Sequence, residues 1–148
     1  MMASTFETIW DAVYADIVGL GLSGLVSDQI KQQQFAYNPA SELFVEGIFL
    51  CPANELLPDA GSNQRMLTSY GVSVTLIKAS NGVLGKGVLS PVLQWRETIR
   101  LRYHDRRPIT VAGVHRFWCE PGGMVLPEAF EKQFDASAFV IRADTYEG

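Results

Sequence analysis

The stretch RMLTSYGVSVTLIKA, residues Arg65–Ala79, and the stretch SPVLQWRETIRLRYHDRRP, residues Ser90–Pro108, together decide the fold class. From Tyr70 onward the first alternates: Tyr70, Val72, Val74 and Leu76 share one parity, and Gly71, Ser73 and Thr75 the other. Successive side chains of a strand point to opposite faces, so the pattern predicts a strand that covers a core on one side and stays partly wet on the other. Asn81-Gly82 and the glycines at 85 and 87 end it. In the second stretch Ser90 is a good N-cap, and Pro91 suits the first helical position, where its missing amide costs nothing. Val92, Trp95, Ile99 and Tyr103 then recur at three- and four-residue steps. They predict the buried stripe of a helix near residues 90–107, which Pro108 terminates.

Upstream, Ser4 and Glu7 have capping-box spacing, and Phe6, Ile9, Trp10, Val13 and Ile17 form one apolar stripe, predicting a helix over about 5–18. Gly19 and Gly21 close it. Residues Gln29–Tyr37 read as a polar edge strand, and Gly47–Cys51, closed by Pro52, as a buried one. A long loop follows from Ala53 to Gln64. Downstream, Val114–Cys119 and Ala138–Asp144 read as the last two strands, with a turn at Pro121-Gly122-Gly123 and a short helical turn within Pro127–Phe134 between them. The order α-β-β-β-α-β-β, without internal repeats, predicts one α+β domain over residues 1–148: a mixed or antiparallel sheet flanked by an N-terminal helix and a second helix.

The composition of the 148 residues, 47% hydrophobic and 19% charged, is that of an ordinary globular chain able to bury a core. A net charge of −4 argues against a general nucleic-acid coat protein, which would carry a basic excess. No apolar run approaches the roughly 18–20 residues of a membrane helix, and the N-terminus lacks a signal peptide's basic start and apolar core, so folding in a cytoplasm is expected. Cys51 and Cys119 each sit in an apolar, strand-like run. Burial as two small hydrophobes is the favoured reading; a disulfide stays open, and neither has a second Cys or a His at metal-ligand spacing.

The chain offers little chemistry. Arg96, Arg100, Arg102, Arg106 and Arg107 place five of the eight arginines within twelve positions, opposed only by Glu97 and Asp105. Two readings stand: a solvated helix face, or a basic patch for an acidic partner surface or passing DNA. Gly82-Val83-Leu84-Gly85-Lys86-Gly87 fails as a phosphate loop, because the glycine spacing is short and Gly87 stands where a Ser or Thr would meet magnesium. It reads as flexible connection. His104 and His115 have no Ser or Cys elbow and no zinc spacing, and Cys119, His115 and Glu120 are too close along one strand to assemble a triad. Glu128, Glu131 and Asp135 read as the polar face of a short amphipathic helix. No catalytic, cofactor-binding or metal-ligating residue emerges, and no cofactor is implied.

The element order carries a resemblance. It comprises an N-terminal amphipathic helix, the strand Gly47-Ile48-Phe49-Leu50-Cys51-Pro52, a loop with Gly61-x-Asn63, the strand Tyr70–Ile77, a helix with Leu93-x-Trp95-Arg96-Glu97-x-Ile99-Arg100, and the pair Val114–Pro121 and Ala136–Arg142. Over nearly the whole chain this layout resembles the small neck and tail-completion proteins of tailed bacteriophages, especially the tail terminators. The resemblance implies a homohexameric ring, located in the virion after assembly in the host cytoplasm. The ring caps the tail tube, stops its polymerisation and joins it to the head connector. Implied partners are the tube protein, a connector or stopper protein and, for a contractile tail, the sheath protein, with DNA passing through the lumen. Long loops and an unpaired strand edge are expected to supply the contacts. Rival classes are another neck component, a small enzyme or ligand-binding domain using His104, His115 or Cys119, and a nucleic-acid binder using the arginine helix.

Overall fold

A computed structural model describes residues 3–37, 44–57 and 66–147. Within them the elements are α1 (Thr5–Gly19), β1 (Ile30–Gln32), β2 (Gly47–Pro52), β3 (Met66–Ala79), α2 (Lys86–Tyr103), β4 (Val114–Glu120), α3 (Pro127–Glu131) and β5 (Phe134–Glu147). The strands form one mixed five-stranded sheet in the order β1-β2-β3-β5-β4, with β1 parallel to β2 and the other pairs antiparallel. The fold is α+β, as the alternation and the two helical stripes predict. Gly61, Asn63 and Arg65, with most of the 53–64 loop, lie outside the described residues. Among the described residues no helix is long and apolar enough to cross a membrane.

Both long helices lie on one face of the sheet, where a single cluster joins Ile9, Val13 and Ile17 of α1 and Val92, Trp95, Ile99 and Tyr103 of α2 to Ile48, Leu50, Val72, Val74, Leu76, Phe139 and Ile141. The even positions of β3 and the odd positions of β5 meet there in register, Val72 opposite Ile141 and Val74 opposite Phe139. Fully burying a side chain of this size contributes about 1.5–3 kcal/mol. Two indoles fix the helices: Trp10 Nε1 donates to Leu50 O at 2.9 Å, and Trp95 Nε1 to Ser23 O at 2.8 Å. The Ser4–Glu7 capping box closes the start of α1 as its spacing predicts.

The second face departs from the expectation of a partly wet side. Near α3 it is dry, because Phe49, Cys51, Ile77, Ala129 and Ala136 form a second apolar cluster. Strand β2 is apolar at both parities, so its outward side chains need cover too. Further along, the same face is polar but closed. Arg142, 3% exposed, donates to Asn54 O and pairs with Glu120, while Asp144 accepts from Arg116 at 2.9 Å and Trp118 at 3.0 Å. Gly71 leaves room for this arginine, since a Cβ there would stand 2.6 Å from its Nη1.

Three boundaries differ from the sequence reading. The polar edge strand shrinks to Ile30–Gln32. Strand β5 extends beyond Ala138–Asp144 at both ends, because its polar positions are held by a 14-residue pairing with β3. Helix α2 begins at Lys86 and ends at Tyr103. Residues Lys86 and Gly87 are therefore its first turn rather than loop, and Ser90 is not its cap: the Ser90 hydroxyl accepts from Gln94 Nε2 at 3.1 Å. Pro91 lies inside the helix as its sixth residue, past the unpaired first amides, where it forgoes the backbone bond that an amide there would donate to Gly87 O.

Candidate functional site

The five arginines do not form one patch. Arg96 is 7% exposed and turns into the protein. Its Nη1 donates to Ser137 Oγ and Ala138 O at 2.7 Å each and to Gly123 O at 3.2 Å, its Nη2 donates to Gly122 O at 3.2 Å, and its guanidinium lies 5.2 Å from the Phe139 ring centroid. It clamps the 121–123 turn and β5 onto α2. Arg102 is held by Asp16 of α1, through Nε at 2.8 Å and Nη2 at 2.6 Å, and the Tyr103 hydroxyl donates to the same carboxylate at 2.7 Å. Arg100 is exposed on the helix. Arg106 and Arg107 lie beyond the helix end, also exposed, and their side chains have no partner among the described residues.

The Asp16 contact carries a pH signature. Burial alone would raise the carboxyl's pKa, but hydrogen bonds from Arg102 and Tyr103 and the Arg102 charge bring it below the ordinary value. A depressed folded-state pKa stabilises the fold above the unfolded value, about pH 4, and that contribution is lost as the pH falls through the folded value. Asp16→Asn is therefore expected to melt below the wild type at neutral pH, with the gap closing under acid. Melting curves of both proteins from neutral to strongly acidic pH check this, and a pH-independent gap contradicts it.

The strand edges are not open ladders. The outward amides of β4 are capped by the segment after α2, with Phe117 N–H donating to Arg106 O at 3.4 Å and Cys119 N–H to His104 Nδ1 at 2.9 Å. The opposite edge strand, β1, has three residues. At β4 two outward amides are thus already bonded within the chain, and β1 offers a short edge.

That bond also answers the question of histidine chemistry. His104, not His115, stands beside Cys119, in a recess of ≈ 220 Å³ that Arg96, Arg100 and Glu120 also line. Its Nδ1 is committed to a backbone amide, and His115 instead stacks on Tyr146 at 4.9 Å. Both cysteines are buried and unbonded, and burial pushes each thiol up to about 11, so neither is a thiolate at neutral pH. Among the described residues no group of acidic, His and Cys side chains is placed to hold a metal ion.

Exposed apolar side chains are spread over several surfaces, including Val26, Phe35, Val45 and Leu57, and at the two ends of α2 they stand beside charged groups. At its N-terminal end Val83 and Leu84, the latter 81% exposed, stand beside Val125 over a groove of ≈ 480 Å³ that Leu89, Pro127, Phe130, Glu131 and Asp135 complete. At its C-terminal end Leu101, 52% exposed, shares a shallow groove with Leu20, Arg102, Arg106, Arg107 and Pro108. Of the acidic trio, Glu128 and Glu131 lie on α3, whereas Asp135 belongs to β5 and is buried. The arginine cluster pointed to the second groove. The first was missed, its only sequence signal being the apolar Val83-Leu84 inside a glycine-rich turn.

No family model and no curated protein matches the chain. Among solved structures, a chain of the virion of a native gene transfer agent (GTA) particle is similar, with a TM-score of 0.47 and 12% identity, covering 98% of this chain and 92% of that chain. A likeness of that size says nothing about substrate or partner.

Proposed function

We propose that this chain is a structural virion protein of a tailed-bacteriophage neck, a single tail-terminator-like domain over residues 1–148. Six copies form a ring that caps the tail tube, ends its polymerisation and joins it to the head connector. Its partners are its own copies, the tube protein, the connector or stopper protein and, in contractile tails, the sheath protein. DNA crosses the lumen without sequence-specific binding, which suits a chain of net charge −4. The work is interface complementarity rather than bond chemistry. One observation carries this reading: exposed apolar side chains occupy several separate surfaces of the protomer, among them Val83, Leu84 and Val125 at the N-terminal end of α2 and Leu101 at its C-terminal end, while the described strand edges are short or partly capped. Two unlike surfaces on one protomer are what a closed ring of identical subunits uses.

Deleting the gene from the phage that encodes it, and imaging the products by electron microscopy, tests the role. The expected result is overlong, unattached tails, restored to normal by the gene supplied in trans. Joined virions with tails of normal length contradict the proposal. Tails of normal length beside leaking heads would instead identify another neck component.

A further inference from the structure

Asp135 stands out as a largely covered carboxyl that meets solvent only through an apolar groove and has no cation beside it among the described residues. The residue is 6% exposed, lies on β5 opposite Lys78 and lines the groove of Val83, Leu84, Leu89, Val125 and Phe130. Lys78 turns its ammonium to Glu46 at 3.5 Å, and no hydrogen bond or ion pair reaches the Asp135 carboxyl among the described residues. Burial accordingly raises its pKa, with no compensating contact. An unpaired carboxyl in an apolar recess is unfavourable, and a cation arriving with an apolar escort would relieve it.

The same chain carries such a group. Arg106 and Arg107 are exposed and unpartnered among the described residues, and they flank the exposed Leu101. The 18 residues of α2 separate this surface from the Asp135 groove by about 27 Å, so one copy cannot satisfy itself. Charge and apolarity are complementary: Asp135 and Glu131 on one side, Arg106 and Arg107 on the other, each beside exposed leucine.

We infer that copies join head to tail along α2, the groove of Leu84 and Asp135 in one receiving Leu101, Arg106 and Arg107 of the next. The inference rests on the ring reading and deepens it by naming the surfaces. A contact between two unlike patches repeats from copy to copy and closes when its rotation closes, whereas a two-fold dimer would need one patch to meet itself.

The test uses the full-length chain and two variants changed only at exposed residues: Leu84→Asn, which removes the apolar wall of the groove without adding a charge, and the double variant Arg106→Glu, Arg107→Glu, which spoils the rim. Circular dichroism first confirms that each folds, and Asp135→Asn serves as a third variant that keeps the side-chain shape. Native mass spectrometry and sedimentation then read the assembly. The wild type is expected to associate, and each spoiled variant alone to stay monomeric. Mixed together, the two variants should form a complex of one copy of each and nothing larger, because only one good groove and one good rim remain. Asp135→Asn should associate at least about tenfold more weakly than the wild type. Variants that assemble like the wild type overturn the contact and leave the ring standing. A mixture that stays monomeric while the wild type assembles also overturns it. A wild type that remains monomeric at millimolar concentration overturns the contact and the ring together.

Discussion

Replacing Arg96 with alanine is expected to destabilise the fold by about 3 kcal/mol, lowering the melting temperature by roughly 6–12 °C. The guanidinium satisfies four acceptors from two segments distant in sequence, the 122–123 turn and residues 137–138 of β5. Water can reach the turn carbonyls when the side chain is gone, because Gly122 and Gly123 are exposed, but Ser137 is fully buried and would lose its only donor, keeping just its own long bond to Gly123 O at 3.4 Å. The cost is that of stranding buried polar groups, not of losing a surface charge. Arg96→Met, which keeps most of the apolar stem, should therefore recover only a minor part of the loss. Urea unfolding of the two variants measures it, and an alanine variant within about 0.5 kcal/mol of the wild type would show that the clamp carries no weight.

Gly47→Ala is expected to cost a similar amount, about 2–4 kcal/mol, for a steric reason. Gly47 opens β2 at φ +148°, a backbone conformation that side chains disfavour, and a Cβ there would stand 2.2 Å from the carbonyl oxygen of Gln29. That carbonyl belongs to the turn that leads into β1, whose pairing with β2 covers only three residues. The turn must move, and with it the bond from Gln32 to Asp11 that ties β1 to α1 at 2.6 Å. Gly19→Ala, at the end of α1 with nothing within 4 Å of the added methyl, is the control and should change little. Amide exchange at residues 30–32 reads the effect directly. Protection in the Gly47→Ala variant equal to that of the wild type contradicts the account.

The legible parts of the fold were those written in local periodicity. The capping box at Ser4 and Glu7, the stripes of both helices and the alternation from Tyr70 to Leu76 each depend on neighbours a few residues apart, and each stands where the pattern puts it. The start of α2 was hidden because Ser90-Pro91 carries the chemistry of a helix N-terminus while sitting one turn inside. The site was less legible than the fold. Arg96 lies one position beyond the apolar Trp95, and its acceptors are 26 to 42 residues away, so no local pattern separates it from the exposed Arg100. Asp135 likewise shares its spacing with Glu128 and Glu131 yet belongs to a different element, and only the sheet register buries it.

The most direct measurement of the central claim is a cryo-electron microscopy map of the head–tail junction in the tailed phage that the proposal assigns to this chain. The account predicts a closed ring of identical copies of this fold, seated on the last layer of the tail tube, with the N-terminal end of α2 in each copy against the C-terminal end of α2 in the next. Density for this chain at the capsid or the tail tip, or as a solitary copy at the junction, would contradict it.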